Sequence, residues 1–276
     1  MPEVVQTLSP LVRRITADNP SVFTGPGTNT YLVGAKEVTV IDPGPAIERH
    51  IEAITNAPGE ITQIIVTHTH PDHSPGTSLL QKKLDIPAYG LITNSSKDQD
   101  VTFNPKSLLA DQQVIRSKDF NLIVLHTPGH ASNHLCFLLE QERMLFTGDH
   151  IMNGATVVIP PPDGNMTNYI SSLKKLRQYE ITTIAPGHGE LMGEPHGTIE
   201  WIIQHRLERE EKVLFALQKA TKGTADSLVE SVYSDIDRAL FPFAKWSLES
   251  HLIKLLEDGC ISKNDDQYVY QPTDQS

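Results

Sequence analysis

Cysteine is almost absent from this chain of 276 residues: Cys136 and Cys260 stand far apart, and neither falls in a Cys-x-x-Cys arrangement. A disulfide framework, a redox pair and a structural zinc knuckle therefore find no support, and two buried reduced thiols are expected. Positive charge is in deficit too, with 23 Lys plus Arg against 34 Asp plus Glu and a formal net charge of −11. Such a surface repels nucleic-acid phosphates at long range and disfavours duplex DNA as a partner, although bound divalent metal would offset it locally. Long apolar runs are also missing. Met1 to Pro20 mixes Glu3, Arg13, Arg14 and Asp18 among short apolar pieces, which is neither the core of a signal peptide nor a membrane span. A cytoplasmic protein without membrane contact is expected. The remaining composition, 38% hydrophobic and 21% charged, suits a globular α/β domain with a small appendage.

Histidine, by contrast, is concentrated. Thr67-His68-Thr69-His70-Pro71-Asp72-His73 places three imidazoles and a carboxylate directly after a strand-like run, Ile61 to Thr67. Imidazole suits zinc and iron, and a carboxylate adds negative charge. One loop cannot wrap all four groups around a single small ion without strain, so two adjacent metals are expected. Three later positions share a second pattern: His130, Asp149 and His188 each lie just past a predicted strand with glycine alongside. Glycine permits the sharp turns and close approach that aim side chains at one point. Closed structural zinc usually takes cysteine, and none of these candidates is Cys. Asp42, one strand before the histidine loop, reads equally as a residue that orients a ligating imidazole and as a cap of the Pro43-Gly44 turn. His134 and His150 neighbour the candidates, but adjacent strand positions point to opposite faces, so His150 is expected to look away. His50, His126, His196 and His251 have no partner pattern and are read as core or surface residues.

Hydrophobic spacing predicts strands at Leu11 to Thr16, Asn29 to Gly34 and Glu37 to Asp42, then a helix with Pro45 in its first turn and Ile47, Ile51 and Ile54 on one face. A helix over Gly76 to Leu84 and a strand near Ile86 to Leu91 follow. Further strands are predicted near Phe120 to Leu125, His134 to Glu140, Arg143 to Thr147 and Thr182 to Ala185, with a helix over Thr167 to Tyr179. Two β-rich halves with helices outside give an α/β fold, an αββα sandwich, over residues 1–197. Residues 198–276 read as a linker helix, Thr198 to Ala220, then helices Ala225 to Tyr233 and Pro242 to Glu257 and a hairpin over Ile261 to Gln271. That order fits a small winged-helix domain.

In order along residues 1 to 190, Asp42, the His68-x-His70-x-Asp72-His73 run, His130, Asp149 and His188 resemble the five motifs of the metallo-β-lactamase superfamily. The resemblance implies one metal on His68, His70 and His130, a second on Asp72, His73 and His188, and Asp149 bridging. It moves Asp42 from turn cap to orienting residue and gives Asp72 and Asp149 catalytic roles. The cofactors implied are two divalent metal ions, zinc by expectation, with manganese or iron accepted by the same ligands. A shared hydroxide would attack a carbonyl or phosphoryl centre. Gly27-Thr28-Asn29-Thr30-Tyr31-Leu32-Val33-Gly34 and His205-Arg206-x-x-Arg209-Glu210 resemble the lactamase-β-2-like group, which joins this catalytic domain to a winged helix. For that group the resemblance implies hydrolysis of an acyl or thioester substrate or cleavage of single-stranded RNA.

Other members fit less well. A secreted class B β-lactamase would need an export signal and lacks the bridging Asp; the flavin-associated diiron relatives carry Glu at the place of His70. A glyoxalase II-type hydroxyacylglutathione thioesterase is nearer, yet no Lys or Arg lies between Asp149 and Lys174 to hold glutathione. Tyr169 and the Pro160-Pro161-Pro162-Asp163-Gly164 loop are expected at the pocket rim. His205, Arg206 and Arg209 could receive an anionic substrate, while Glu208, Glu210 and Glu211 make helix ion pairing the default. The alternative from another class is a winged-helix nucleic-acid-binding regulator with a vestigial metal site, reading through Trp246 to Glu257. Residues 200–276 carry nine Lys plus Arg and fourteen Asp plus Glu, a balance of −5 and the wrong sign for phosphate. A lid, substrate wall or homodimer contact is the expected use of this module.

Overall fold

The computed structural model describes residues 2–93, 98–154 and 156–271. It forms two compact units: residues 1–127, 133–157 and 179–196 build the first, and 128–132, 158–178 and 197–276 the second. The second thus takes in two segments from within the expected 1–197 domain.

Among the described residues, the first unit holds two sheets. One runs in chain order through β1 (Gln6–Thr7), β2 (Val12–Thr16), β3 (Asn29–Val33), β4 (Glu37–Ile41), β5 (Glu60–Ile65), β6 (Ala88–Gly90) and β7 (Ser107–Leu108). Its pairing is antiparallel up to β4 and parallel beyond. The other holds β8 (Val114–Arg116), β9 (Asn121–His126), β10 (Leu135–Leu139), β11 (Met144–Gly148) and β12 (Thr183–Pro186) in the order β12-β11-β10-β9-β8, and only β11–β12 is parallel.

Period-two alternation divides the side chains of the first sheet between two cores. Tyr31, Val33, Ile41 and Ile65 meet Leu122, Val124, Leu135, Phe137 and Phe146 of the second sheet. On the opposite face Leu32, Val38, Val40 and Ile64 receive Ile51 and Ile54 of α1 (Glu48–Thr55) and Leu80 of α2 (Gly76–Leu84). Burying each such aliphatic side chain contributes about 1.5–3 kcal/mol, so both faces hold the sheet rigid. Helix α1 starts at Glu48, later than the predicted Pro45 start. The short edge strands β1, β7 and β8 carried no pattern long enough to predict.

The second unit contains α3 (Met166–Leu176), most of α4 (Pro195–Ala220), α5 (Ala225–Val232), α6 (Phe241–Glu257) and a small sheet in the order β13 (Lys222–Gly223), β15 (Gln267–Tyr270), β14 (Ile261–Asn264). Thr224 and Ser227 cap α5 reciprocally. Leu228 and Val232 of α5, Leu248, Leu252 and Leu255 of α6 and Val213 and Leu217 of α4 share one core with Ile261. Between α4 and α5, Lys222-Gly223 adds a third strand paired with Tyr268 and Val269.

Candidate metal centre

Strand ends deliver the polar cluster of the first unit. Asp42 follows β4, the His68–His73 loop follows β5, Asp149 follows β11, and His188 comes two residues after β12. Packed strands fix the backbone from which these side chains project. Strand β5 stops at Ile65, two residues short of expectation, because Thr67 turns to Asp42.

Asp42 adopts a left-handed backbone, φ +50°, uncommon for a residue with a Cβ. Its Oδ1 accepts from Thr67 N at 2.7 Å, and its Oδ2 accepts from Thr67 Oγ1 at 2.7 Å and His73 Nδ1 at 2.9 Å. Gly44 N donates to the His73 carbonyl, not to Asp42.

Proton counting follows from these bonds. A carboxylate only accepts, so the Thr67 hydroxyl spends its hydrogen on Asp42 and accepts from His68 Nδ1, 3.0 Å away. His68 therefore carries its proton on Nδ1 and presents an Nε2 lone pair, 3.0 Å from His70 Nδ1. By the same logic His73 donates Nδ1–H to Asp42, and His188 donates Nδ1–H to the Gly27 carbonyl at 3.2 Å. Both rings then aim Nε2 at carboxylates. His73 Nε2 lies 3.3 Å from Asp72 Oδ2 and 3.3 Å from Asp149 Oδ1; His188 Nε2 lies 3.3 and 3.2 Å from the same two atoms.

Lone pairs on imidazoles facing carboxylate oxygens repel unless a proton or a cation stands among them. The donor set fits a divalent cation: ligand atoms around one zinc stand roughly 3.3 Å apart when each bond is about 2.0–2.1 Å. The ligand atoms of Asp72, His73 and His188 all lie within 4.8 Å of one another, and so do those of His68, His70 and Asp149. Asp149 thereby touches both groups.

Electrostatics agree with that chemistry. Burial opposes charge on His73, but the Asp72 and Asp149 carboxylates override it and hold the imidazole well above its ordinary range. His188, against the same burial, is pushed up to about 9 by Asp149 and Asp72. Burial also works against ionised Asp72 and Asp149, yet His73 and His188 keep both well below the usual carboxylate range. His68 goes the other way, driven well below its ordinary value by burial and by His73, His70 and His134. A neutral imidazole is the ligating form.

The loop bearing His130 belongs to the second unit, where His130 donates Nδ1–H to the Val158 carbonyl at 2.8 Å and so presents Nε2. Thr127 and Asn133, which bracket that loop, belong to the first unit. Thr127 N donates to the His134 carbonyl at 3.0 Å, and Asn133 Nδ2 donates to Thr69 Oγ1 at 2.7 Å.

The suggested substrate contacts also lie in the second unit, and most face inward. Tyr169, expected at a rim, is fully buried; Arg206 stands over its ring at 5.4 Å. Arg209 is spent on Asp235, at 2.9 and 3.1 Å, and on the Val232 carbonyl at 2.7 Å. Its ion partner lies beyond α5 and not on its own helix, because the side chain points into the core. His205 is half-buried and stacks on Trp201 at 5.4 Å. Asp163 of the proline loop is tied to Ser132 N and Oγ.

Three participants escaped the sequence reading: Thr67, Thr28 and His134. Thr28 donates to Asp72 Oδ2 at 3.0 Å, and His134 is buried with its ring 5.0 Å from that of His68. His150 is buried behind His134 at 5.7 Å and joins neither ligand group, whereas His50 and His251 are core residues. Cys136 is buried and Cys260 partly so. No helix among the described residues is long and apolar enough to cross a membrane.

Two stacked mixed sheets, a polar cluster at their strand ends and a trailing helix-helix-hairpin module define a metal-dependent hydrolase of the α/β sandwich type. Residues 23–188 match the model of the metallo-beta-lactamase superfamily, and residues 224–269 that of the beta-lactamase associated winged helix domain. The chain belongs to the metallo-β-lactamase superfamily. A Drosophila melanogaster relative, beta-lactamase-like protein 2 homolog, is 33% identical over 98% of this chain and 97% of its own. An atrochrysone carboxyl ACP thioesterase of Aspergillus novofumigatus is 30% identical over 93% of this chain and 82% of its own. Among solved structures, a beta-lactamase domain protein from Burkholderia ambifaria superposes with TM-score 0.83 at 18% identity, covering 98% of this chain and 95% of that one.

Proposed function

We propose that this chain hydrolyses an acyl or thioester substrate at two divalent cations, zinc by donor chemistry. The observation that carries the reading is the pair of ligand groups sharing Asp149. His68, His70 and His130 would hold one cation, Asp72, His73 and His188 the other, and Asp149 would bridge them. His130 is included on its sequence motif; its Nδ1 donates to the Val158 carbonyl, so Nε2 is the nitrogen that would ligate. Bound divalent cations would acidify water and polarise the substrate oxygen. The protein's part is positional: Asp42, Gly27 and Val158 fix which nitrogen of His73, His188 and His130 carries the proton, so those lone pairs are set before substrate arrives.

The acyl reading is supported by the loops tied to the cluster. Val22 and Phe23 lie on the turn before Thr28, and Ile92 and Val101 lie on the segments bonded to Asn133 and Thr69; all four are exposed. Residues 17–30 contain no Lys or Arg. A groove for single-stranded RNA needs cationic backbone contacts, which the 17–30 segment does not supply. The thioesterase name of one relative points the same way. As for a nucleic-acid regulator, Lys245 and Lys254 of α6 are paired with Asp226, Glu210 and Asp258.

The test is a parallel assay of zinc-loaded protein on acyl thioesters, lactones and labelled single-stranded RNA, with Asp149→Asn as control. Thioester turnover abolished in D149N is expected. RNA cleavage without thioester turnover, or tight sequence-selective duplex binding in a gel shift, would overturn the reading.

A further inference from the structure

Asp72 is held by a hydroxyl from outside the imidazoles. The donor is Thr28 Oγ1, at 3.0 Å to Asp72 Oδ2. That oxygen is also the atom 3.3 Å from both His73 Nε2 and His188 Nε2. The direction of the bond is fixed from behind. Asn19 Nδ2 donates to Thr28 Oγ1 at 2.9 Å, so the Thr28 hydroxyl turns its own hydrogen to the carboxylate. Asn19 Oδ1 meanwhile accepts from Thr28 N at 2.9 Å, clamping the residue through backbone and side chain together.

The neighbouring residue, Gly27, holds a second member of that group. Gly27 accepts the Nδ1 proton of His188, and at φ +144° a Cβ there would stand 1.9 Å from the Ala17 carbonyl oxygen. The Gly27-Thr28 corner therefore orients two of the three members of the group Asp72, His73 and His188. Both of these bonds fall within that one group. Asp42, by contrast, reaches both groups, His68 through Thr67 and His73 directly.

Resting on the two-cation reading above, we propose that Thr28 is a positioning residue for the Asp72–His73–His188 site alone, and that its hydroxyl sets the occupancy of that site independently of the other. Loss of an outer hydrogen-bond partner of a ligand typically weakens metal affinity by about 10–100-fold. Thr28→Val keeps the shape and removes the donor; Thr28→Ser keeps the donor.

The experiment strips the full chain with chelator and titrates it with Zn2+ by calorimetry, counting bound metal after gel filtration. Wild type and T28S should take up two equivalents. T28V should take the first with unchanged affinity and the second about 10–100-fold more weakly. Two equivalents at wild-type affinity in T28V, or equal weakening of both, overturns the assignment. If T28V does not fold, Thr28→Ala, which also lacks the hydroxyl, is read by the same criteria. Fewer than two equivalents in wild type would instead defeat the two-cation reading itself.

Discussion

At the residue scale, Asp42 decides more than any ligand does. One carboxylate satisfies Thr67 N, Thr67 Oγ1 and His73 Nδ1. Asp42→Asn leaves one acceptor oxygen and adds a donor facing donors, so zinc affinity should fall by about 10–100-fold at both sites, read by the same titration. Glycine gives a second prediction. A Cβ on Gly187 would lie 2.7 Å from Asp149 Oδ1 and 2.8 Å from His73 Cε1, both buried and held. Gly187→Ala should lower bound metal and turnover although it replaces neither of those side chains. The two His and Asp groups were legible because such side chains placed after strands are costly without a role. Thr28 and Thr67 were not: a threonine beside a strand reads as β-propensity, and only coordinates show which acceptor its hydroxyl meets.

At the element scale, strand prediction worked where burial is two-sided or alternating, as in β3, β10 and β11. It failed at β1, β7, β8 and β13, which are two or three residues long and exist through pairing. Helix α4 shows a different limit. Arg206 and Arg209 among glutamates read as ion pairs along the helix, yet both are buried, and Arg209 joins the helix to Val232 and Asp235. Arg209→Met should cost roughly 1.5–3 kcal/mol in urea unfolding, the range for hydrogen bonds to charged groups. Arg209→Lys should recover only part, since ammonium cannot reproduce the two-pronged contact.

At the scale of the whole molecule, cation binding and acid sensitivity become measurable as stability. Anything bound only by the folded state raises its stability, by about 2.7 kcal/mol at a ligand concentration of 100 Kd. Chelation should therefore lower the melting temperature, and added Zn2+ should restore it. A separate pH effect comes from His251, pushed down to about 4 by burial and by Arg206 and Lys254, with Glu210 opposing. The unfolded chain takes up this proton near 6.5 and the folded chain only near 4. Stability falls as pH drops through that window, because the unfolded state binds more protons there. Relative to His251→Gln, wild type should lose melting temperature between pH 6.5 and 4; parallel curves would count against it. What the sequence by itself determined was the class of chemistry and the alternation that builds the sheets, since ligand type and hydrophobic period are local properties. Tertiary structure alone decided which nitrogen each imidazole offers, which hydroxyls hold the carboxylates and which arginines turn inward, because those depend on partners brought together from distant parts of the chain.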